Sequence, residues 1–151
     1  MNGVFKPLTL LVEDDANDIL LFQRAFAKLN RVAELMVARD ASRAERTLAG
    51  EGPGRDAVPP VLPRLILLDL KLPGKNGLEL LAWIRGRKKL RRLPIVIFSS
   101  SSEPRDMDNA YALGANSYVV KPSGFDALLE TVKRLCEYWL ELNCIPEKEA
   151  V

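Results

Sequence analysis

The chain has 151 residues, enough for one domain to bury a core without disulfide or metal staples, and its 48% hydrophobic and 28% charged residues are ordinary for a soluble globular protein. A net charge of +2 lacks the global field of a nucleic-acid binder, and the absence of histidine excludes Ser-His-Asp and Cys-His catalysis, histidine metal sites and a phosphohistidine carrier. No apolar run approaches the ~20 residues of a membrane span and residues 1–6 show no signal-peptide pattern, so a cytoplasmic protein without nucleic-acid or membrane partners is expected.

Residues 8–12, LTLLV, form an aliphatic run that leads directly into Glu13, Asp14 and Asp15. A run without alternation reads as a strand buried on both faces. Residues 16–29 place Ile19, Phe22, Phe26 and Leu29 at helical spacing, with Asp15 or Asn17 as N-cap and Asn30 closing the helix. Residues 33–38 read as a short strand without chemistry, and Asp40 caps a weakly apolar helix through Leu48. In residues 50–63, GEGPGRDAVPPVLP, glycine and proline remove all periodicity and make a loop. It is either a tolerated insertion or a partner-binding arm presenting Val58, Val61 and Leu62.

The stretch LILLDLKLPGKNG, residues 65–77, is a second doubly buried strand ending in one carboxylate, Asp69, and turning through Leu72, Pro73 and Gly74. Asn76, with Glu79 three positions on, starts a helix whose Leu78, Leu81 and Ile84 face inward and which stops at Gly86. The basic run RKKLRR, residues 87–92, has no interleaved aromatics and follows a helix C-terminus, so it reads as a solvated turn. Pro94 opens an aliphatic strand over 95–98 that ends in four serines from Ser99, followed by a helix from Pro104 to Leu113 closed by Gly114. Residues 116–120, NSYVV, are a last strand ending in Lys121 and Pro122.

Ser123 with Asp126 begins a final helix carrying Phe125, Leu128, Val132, Leu135, Trp139 and Leu142 on one stripe, widened by Leu129, Cys136 and Leu140. That width is either a broad core face or a contact with a second subunit. Cys136 and Cys144 are expected as two thiols rather than a bridge.

Strict alternation of strand and helix, five times over, implies a parallel sheet with right-handed crossovers and helices on both faces. All strand carboxyl ends then share one edge, which collects Glu13, Asp14, Asp69, Ser99 and Lys121. Crowded carboxylates repel one another unless a hard divalent cation sits among them, and oxygen ligation suits Mg²⁺. Asp69 can then act as a nucleophile towards phosphorus, with Lys121 pairing with the acid and later with a phosphoryl oxygen, and Ser99 donating a hydrogen bond to the transferred group. Any one of these residues is common at a surface; the ordered set at successive strand ends is not.

The segments VEDDAND, LLDLKLPGKNG, PIVIFSS and NSYVVKPS resemble the receiver domains of two-component response regulators over roughly residues 8–142. The resemblance implies an α/β, flavodoxin-like, three-layer fold with five helices around a five-stranded parallel sheet in the order 2-1-3-4-5. It makes Asp69 the phosphoacceptor, with Mg²⁺ on Asp14, Asp69 and the Lys71 backbone carbonyl and with Glu13 acting through water. Ser99 and Lys121 contact the phosphoryl group, Tyr118 is the aromatic residue that moves on activation, and the Lys121–Pro122 bond is cis. Lys71 and Ser101 occupy places that tune phosphoryl lifetime. The SSSSEPRD segment, the long loop before the central strand and the tail look most like stand-alone regulators paired with phytochrome-type sensor histidine kinases.

The expected organisation is a single receiver domain over 1–142 and a C-terminal extension over 143–151, a candidate dimer arm, without an output domain. A homodimer is expected. The protein is then a phosphoacceptor switch that catalyses only its own phosphorylation and dephosphorylation. Two other readings stand beside it. One is a receiver-like interaction module that is never phosphorylated, against which the complete acid, hydroxyl and lysine set argues. The other is an aspartyl-phosphate hydrolase, which needs a second acid just after the nucleophile where this chain has Leu70 and Lys71.

Overall fold

A computed structural model describes residues 6–50 and 60–146. Strands β1 (Leu8–Val12), β2 (Glu34–Ala38), β3 (Leu65–Leu68), β4 (Ile95–Ser99) and β5 (Ser117–Val120) alternate with helices α1 (Ala16–Lys28), α2 (Ala41–Ala49), α3 (Gly77–Arg85), α4 (Pro104–Ala112) and α5 (Phe125–Cys136). The strands are all parallel, in the order β2-β1-β3-β4-β5. This is the flavodoxin-like arrangement, in which β1 and β3 flank the point where the strand order reverses.

The aliphatic runs lack alternation because each strand face has its own core. On one face Leu10, Val12, Ile66, Leu68, Ile95 and Ile97 meet Ala41, Ala44 and Leu48 of α2 and Leu80, Leu81 and Ile84 of α3. On the other, Leu11, Leu65, Leu67, Val96 and Phe98 meet Phe22 and Ala25 of α1 and Leu128, Val132 and Leu135 of α5. Every residue of β3 is at most 1% exposed. Each such side chain contributes roughly 1.5–3 kcal/mol by its burial, so the strand that carries Asp69 is held on both sides.

Three helices start where their carboxylate or amide caps predict. Asp15 Oδ1 accepts from Asp18 N at 2.8 Å, Asp40 Oδ1 from Arg43 N at 2.7 Å, and Asn76 Oδ1 from Glu79 N at 2.9 Å. Each bond satisfies a main-chain donor that the helix leaves unpaired. Asn30, at φ 50°, closes the turn after α1.

Several expectations shift in detail. β2 starts at Glu34, and α3 buries Leu80 while Leu78 lies only partly inside. Ser123 does not cap α5: Gly124, at φ 90°, is the N-cap and offers no side chain. The last turns, Glu137–Leu142, wind as a π-helix, which sends Leu140 into the core and leaves Leu142 72% exposed. Cys136 and Leu140 therefore widen the stripe by joining the α1–α5 core. Both cysteines are free, Cys136 buried and Cys144 exposed.

The basic turn after α3 is solvated at Arg87, Lys88, Lys89, Arg91 and Arg92, with Leu90 anchored in the core. Of the 50–63 loop, Val61 N donates to Thr47 O at 3.0 Å and Leu62 is exposed, while Val58 and the rest of 51–59 lie outside the described residues, as do 147–151 of the C-terminal extension.

Candidate functional site: an acidic cluster at the strand ends

Main-chain bonds continue one residue past the strands and place the functional residues. Glu13 N donates to Ala38 O at 3.0 Å, Asp69 N to Val12 O at 3.1 Å and Lys121 N to Ser99 O at 2.7 Å. The ends of β2, β1 and β3, and those of β4 and β5, are thereby locked side by side. Carboxylate oxygens of Glu13, Asp14 and Asp69 all lie within 4.8 Å of one another.

Lys121 is the cation that holds this group together. Its Nζ donates to Glu13 Oε1 at 2.5 Å, Asp18 Oδ2 at 2.9 Å and Asp69 Oδ2 at 3.0 Å. Burial on its own lowers the pKa of an ammonium, but these three carboxylates outweigh it and hold Lys121 above its ordinary value. Glu13, at the floor of the site, is pushed up to about 7 by burial, with the Lys121 bond opposing, the Asp69 charge adding and the Asp15 N–H opposing. Asp69 Oδ1 accepts from Lys71 N at 3.1 Å, so both oxygens of the acid have partners.

Ser99 is fully buried at the end of β4, and its Oγ accepts from Ser101 N at 3.2 Å. Ser101 links this loop to its surroundings. Its Oγ donates to Asp106 Oδ2 at 2.5 Å and accepts from Glu103 N at 3.2 Å, while its carbonyl accepts from the Tyr118 hydroxyl at 2.9 Å. Tyr118 packs partly buried against the α2–α3 core, so one chain of bonds runs from Ser99 through Ser101 to Tyr118.

All of Glu13, Asp14, Asp69, Ser99 and Lys121 arrive at the edge that alternation places them on. Lys71 presents its N–H to Asp69. The Lys121–Pro122 bond differs from expectation: it is trans, as no cis peptide bond occurs among the described residues. Trans is the favoured isomer of such bonds by about 0.5–1 kcal/mol, and with it the ammonium already reaches three carboxylates.

Two further residues belong to the site. Asp18 sits in the first turn of α1, where an acid is favoured by the helix dipole whatever else it does. Gly77 begins α3 against the Asp69–Leu70 backbone, and a Cβ there would lie only 2.8 Å from Leu70 Cα. A glycine three residues after another in a turn, and directly after an N-cap asparagine, is the signal that a close approach leaves.

Four carboxylates, Glu13, Asp14, Asp18 and Asp69, stand about one ammonium at this edge, and the oxygens of Glu13, Asp14 and Asp69 are a donor set that fits a hard divalent cation. A carboxylate bonded to a lysine beside two further acids, at the carboxyl edge of a parallel sheet in the order 2-1-3-4-5, is the arrangement of a receiver. Residues 9–133 match the response regulator receiver domain, and the chain belongs to that family. It is a signalling switch of two-component systems rather than a classical enzyme.

Among relatives, the "Probable methanogenesis regulatory protein FilR2" of Methanothrix harundinacea is 39% identical over 92% of this chain and 87% of its own length. The response regulator Rcp1 of Synechocystis sp. is 34% identical over 91% of each chain. Its Mn²⁺-bound crystal structure superposes with a TM-score of 0.81 over 93% of this chain and 99% of that one. The phosphorylated cyanobacterial phytochrome response regulator RcpA, 36% identical, superposes with a TM-score of 0.85 over 95% of this chain and all of its own. No helix among the described residues is long and apolar enough to cross a membrane.

Proposed function

We propose that Asp69 is the phosphoacceptor of a response regulator served by a phytochrome-type sensor histidine kinase, and that its phosphorylation changes which protein surface the chain presents. The observation that carries this reading is the Lys121 ammonium bonded at once to Glu13 and Asp69, with Asp14 within the same 4.8 Å group. The similarity to Rcp1 and RcpA supports the phytochrome pairing.

Glu13, Asp14, Asp69 and the Lys71 carbonyl would hold Mg²⁺, which supplies the positive charge that lets one anion approach another. An Asp69 carboxylate oxygen forms the new bond to phosphorus while the histidine N–P bond breaks and returns its electron pair to the imidazole ring. Lys121 neutralises the transferred oxygens, and Ser99 turns its O–H to them. Hydrolysis of the acyl phosphate at the same residues resets the switch.

The added charge of about −1.5 to −2 draws on Ser99. Ser101 moves with it, and Tyr118, bonded to the Ser101 carbonyl, carries the change to the α4–β5–α5 surface, where Tyr111, Leu113 and Val120 are exposed. The chain also forms a homodimer through the end of α5 and the residues just after it: Tyr138, Leu142 and Ile145 stay exposed there although the core has taken Cys136 and Leu140.

Phosphotransfer from a phytochrome-type histidine kinase, followed on wild type and Asp69→Asn with size-exclusion chromatography of both states, tests the reading. Label on wild type alone and a shift in elution are expected. No transfer from the kinase or from any small phosphodonor would leave a receiver-shaped interaction module.

A further inference from the structure

A lysine ammonium has three N–H donors, and those of Lys121 are matched by three carboxylates, Glu13, Asp18 and Asp69. Two of these partners belong to the Glu13, Asp14 and Asp69 group suited to a cation, and Asp18 does not. We propose that Asp18 is a positioning residue for phosphoryl transfer, the anchor that keeps Lys121 at the site once Glu13 and Asp69 turn to the metal. The inference rests on the receiver reading and adds a residue to it.

The need for such an anchor follows from charge. Glu13 and Asp69 cannot serve an ammonium and a divalent cation equally, because the two cations repel each other across the shared carboxylates. The ammonium has to lean away, and without a further anion it either competes with the metal or leaves. Asp18 stands on the solvent side of Lys121, its side chain 41% exposed against 3% for Glu13 and 9% for Asp69. Its backbone is fixed, since the N-cap Asp15 Oδ1 accepts from Asp18 N at 2.8 Å. The carboxylate therefore comes from a rigid helix end, on the side of Lys121 away from the buried floor.

Titration calorimetry of Mg²⁺ into the full chain separates this role from a structural one. Asp18→Asn raises the Mg²⁺ dissociation constant about 3–10-fold, the worth of one exposed charge-assisted bond, because Lys121 falls back on the metal's ligands. Asp18→Glu restores most of the affinity. In a Lys121→Met background the same Asp18→Asn change costs less than half as much, expressed as a ratio of logarithms, since the residue acts through the lysine. Labelling by acetyl phosphate at saturating Mg²⁺ slows in Asp18→Asn as well. An unchanged dissociation constant in Asp18→Asn, or a loss at least half as large without Lys121, overturns the proposal while leaving the receiver reading intact. Wild type that binds no Mg²⁺ overturns both.

Discussion

Replacing Gly77 with alanine is the substitution that most directly couples stability to the site. Gly77 is the first residue of α3, and its N–H donates to Leu70 O at 3.0 Å. An added methyl would fall against the Asp69 carbonyl oxygen, 2.8 Å from Leu70 Cα and 3.0 Å from the Asp69 carbonyl carbon. All three obstacles are backbone, so the strand-to-helix turn has to move. Overpacking of this kind costs about 1–3 kcal/mol, which lowers the Tm of a domain of this size by roughly 2–12 °C. The displaced peptide is the one that carries Asp69, and a misplacement near 1 Å of a reacting group costs roughly 10- to 100-fold in rate. Gly74 in the same turn is the control. At φ +70° it has nothing within 4 Å of an added Cβ, so Gly74→Ala costs about 1–2 kcal/mol of backbone strain while leaving Asp69 in place. Thermal unfolding by circular dichroism and the rate of labelling by acetyl phosphate check both variants. Wild-type stability and rate in Gly77→Ala would refute the claim that this close approach positions Asp69.

Other consequences are as direct. Arg85 donates to the carbonyls of Gly114, Arg91 and Leu93 and to Asn116 Oδ1, all at 2.8–3.0 Å. Arg85→Lys cannot reproduce that fork, and urea unfolding should show a loss of about 1–3 kcal/mol; a loss under about 0.5 would contradict the role. Tyr118→Phe loses the hydroxyl bond to Ser101 O, about 0.5–1.5 kcal/mol, and should keep phosphorylation while weakening any phosphorylation-dependent change in elution. Burial pushes the Cys136 thiol up to about 11, with the Arg31 charge opposing and the Glu137 charge adding. A raised thiol pKa favours the protonated folded form, so this contribution to stability is complete below pH 9 and is lost as pH rises through about 11. At pH 8 a thiol reagent should modify Cys144 at once and Cys136 only on unfolding; equal rates in the native protein would contradict its burial.

The sheet and its acidic edge were legible because a parallel sheet needs no long-range information beyond alternation. Aliphatic runs ending in Glu13, Asp69, Ser99 and Lys121 must all finish on one side, so their neighbours across the sheet follow from chain direction alone. Asp18 was not legible in the same way. It lies on a helix face, and whether its carboxylate meets Lys121 depends on how α1 packs against α5, a packing set by Phe22, Leu128 and Val132 together. The π-helical end of α5 escaped for a related reason. Helical spacing continues through residue 142, and the pairing of Arg31 with Glu137 and Glu141, which ties the final turns to the loop after α1, leaves no mark in that spacing. The trans Lys121–Pro122 bond belongs to this class too, since either isomer is compatible with a lysine and proline after a strand.

The most direct test of the account is intact mass of wild type and Asp69→Asn after incubation with acetyl phosphate, with and without Mg²⁺. One phosphoryl group on wild type, dependent on Mg²⁺ and missing from Asp69→Asn, is the predicted result. The same adduct on Asp69→Asn would place the acceptor elsewhere and contradict the assignment of the strand-end carboxylate as the switch.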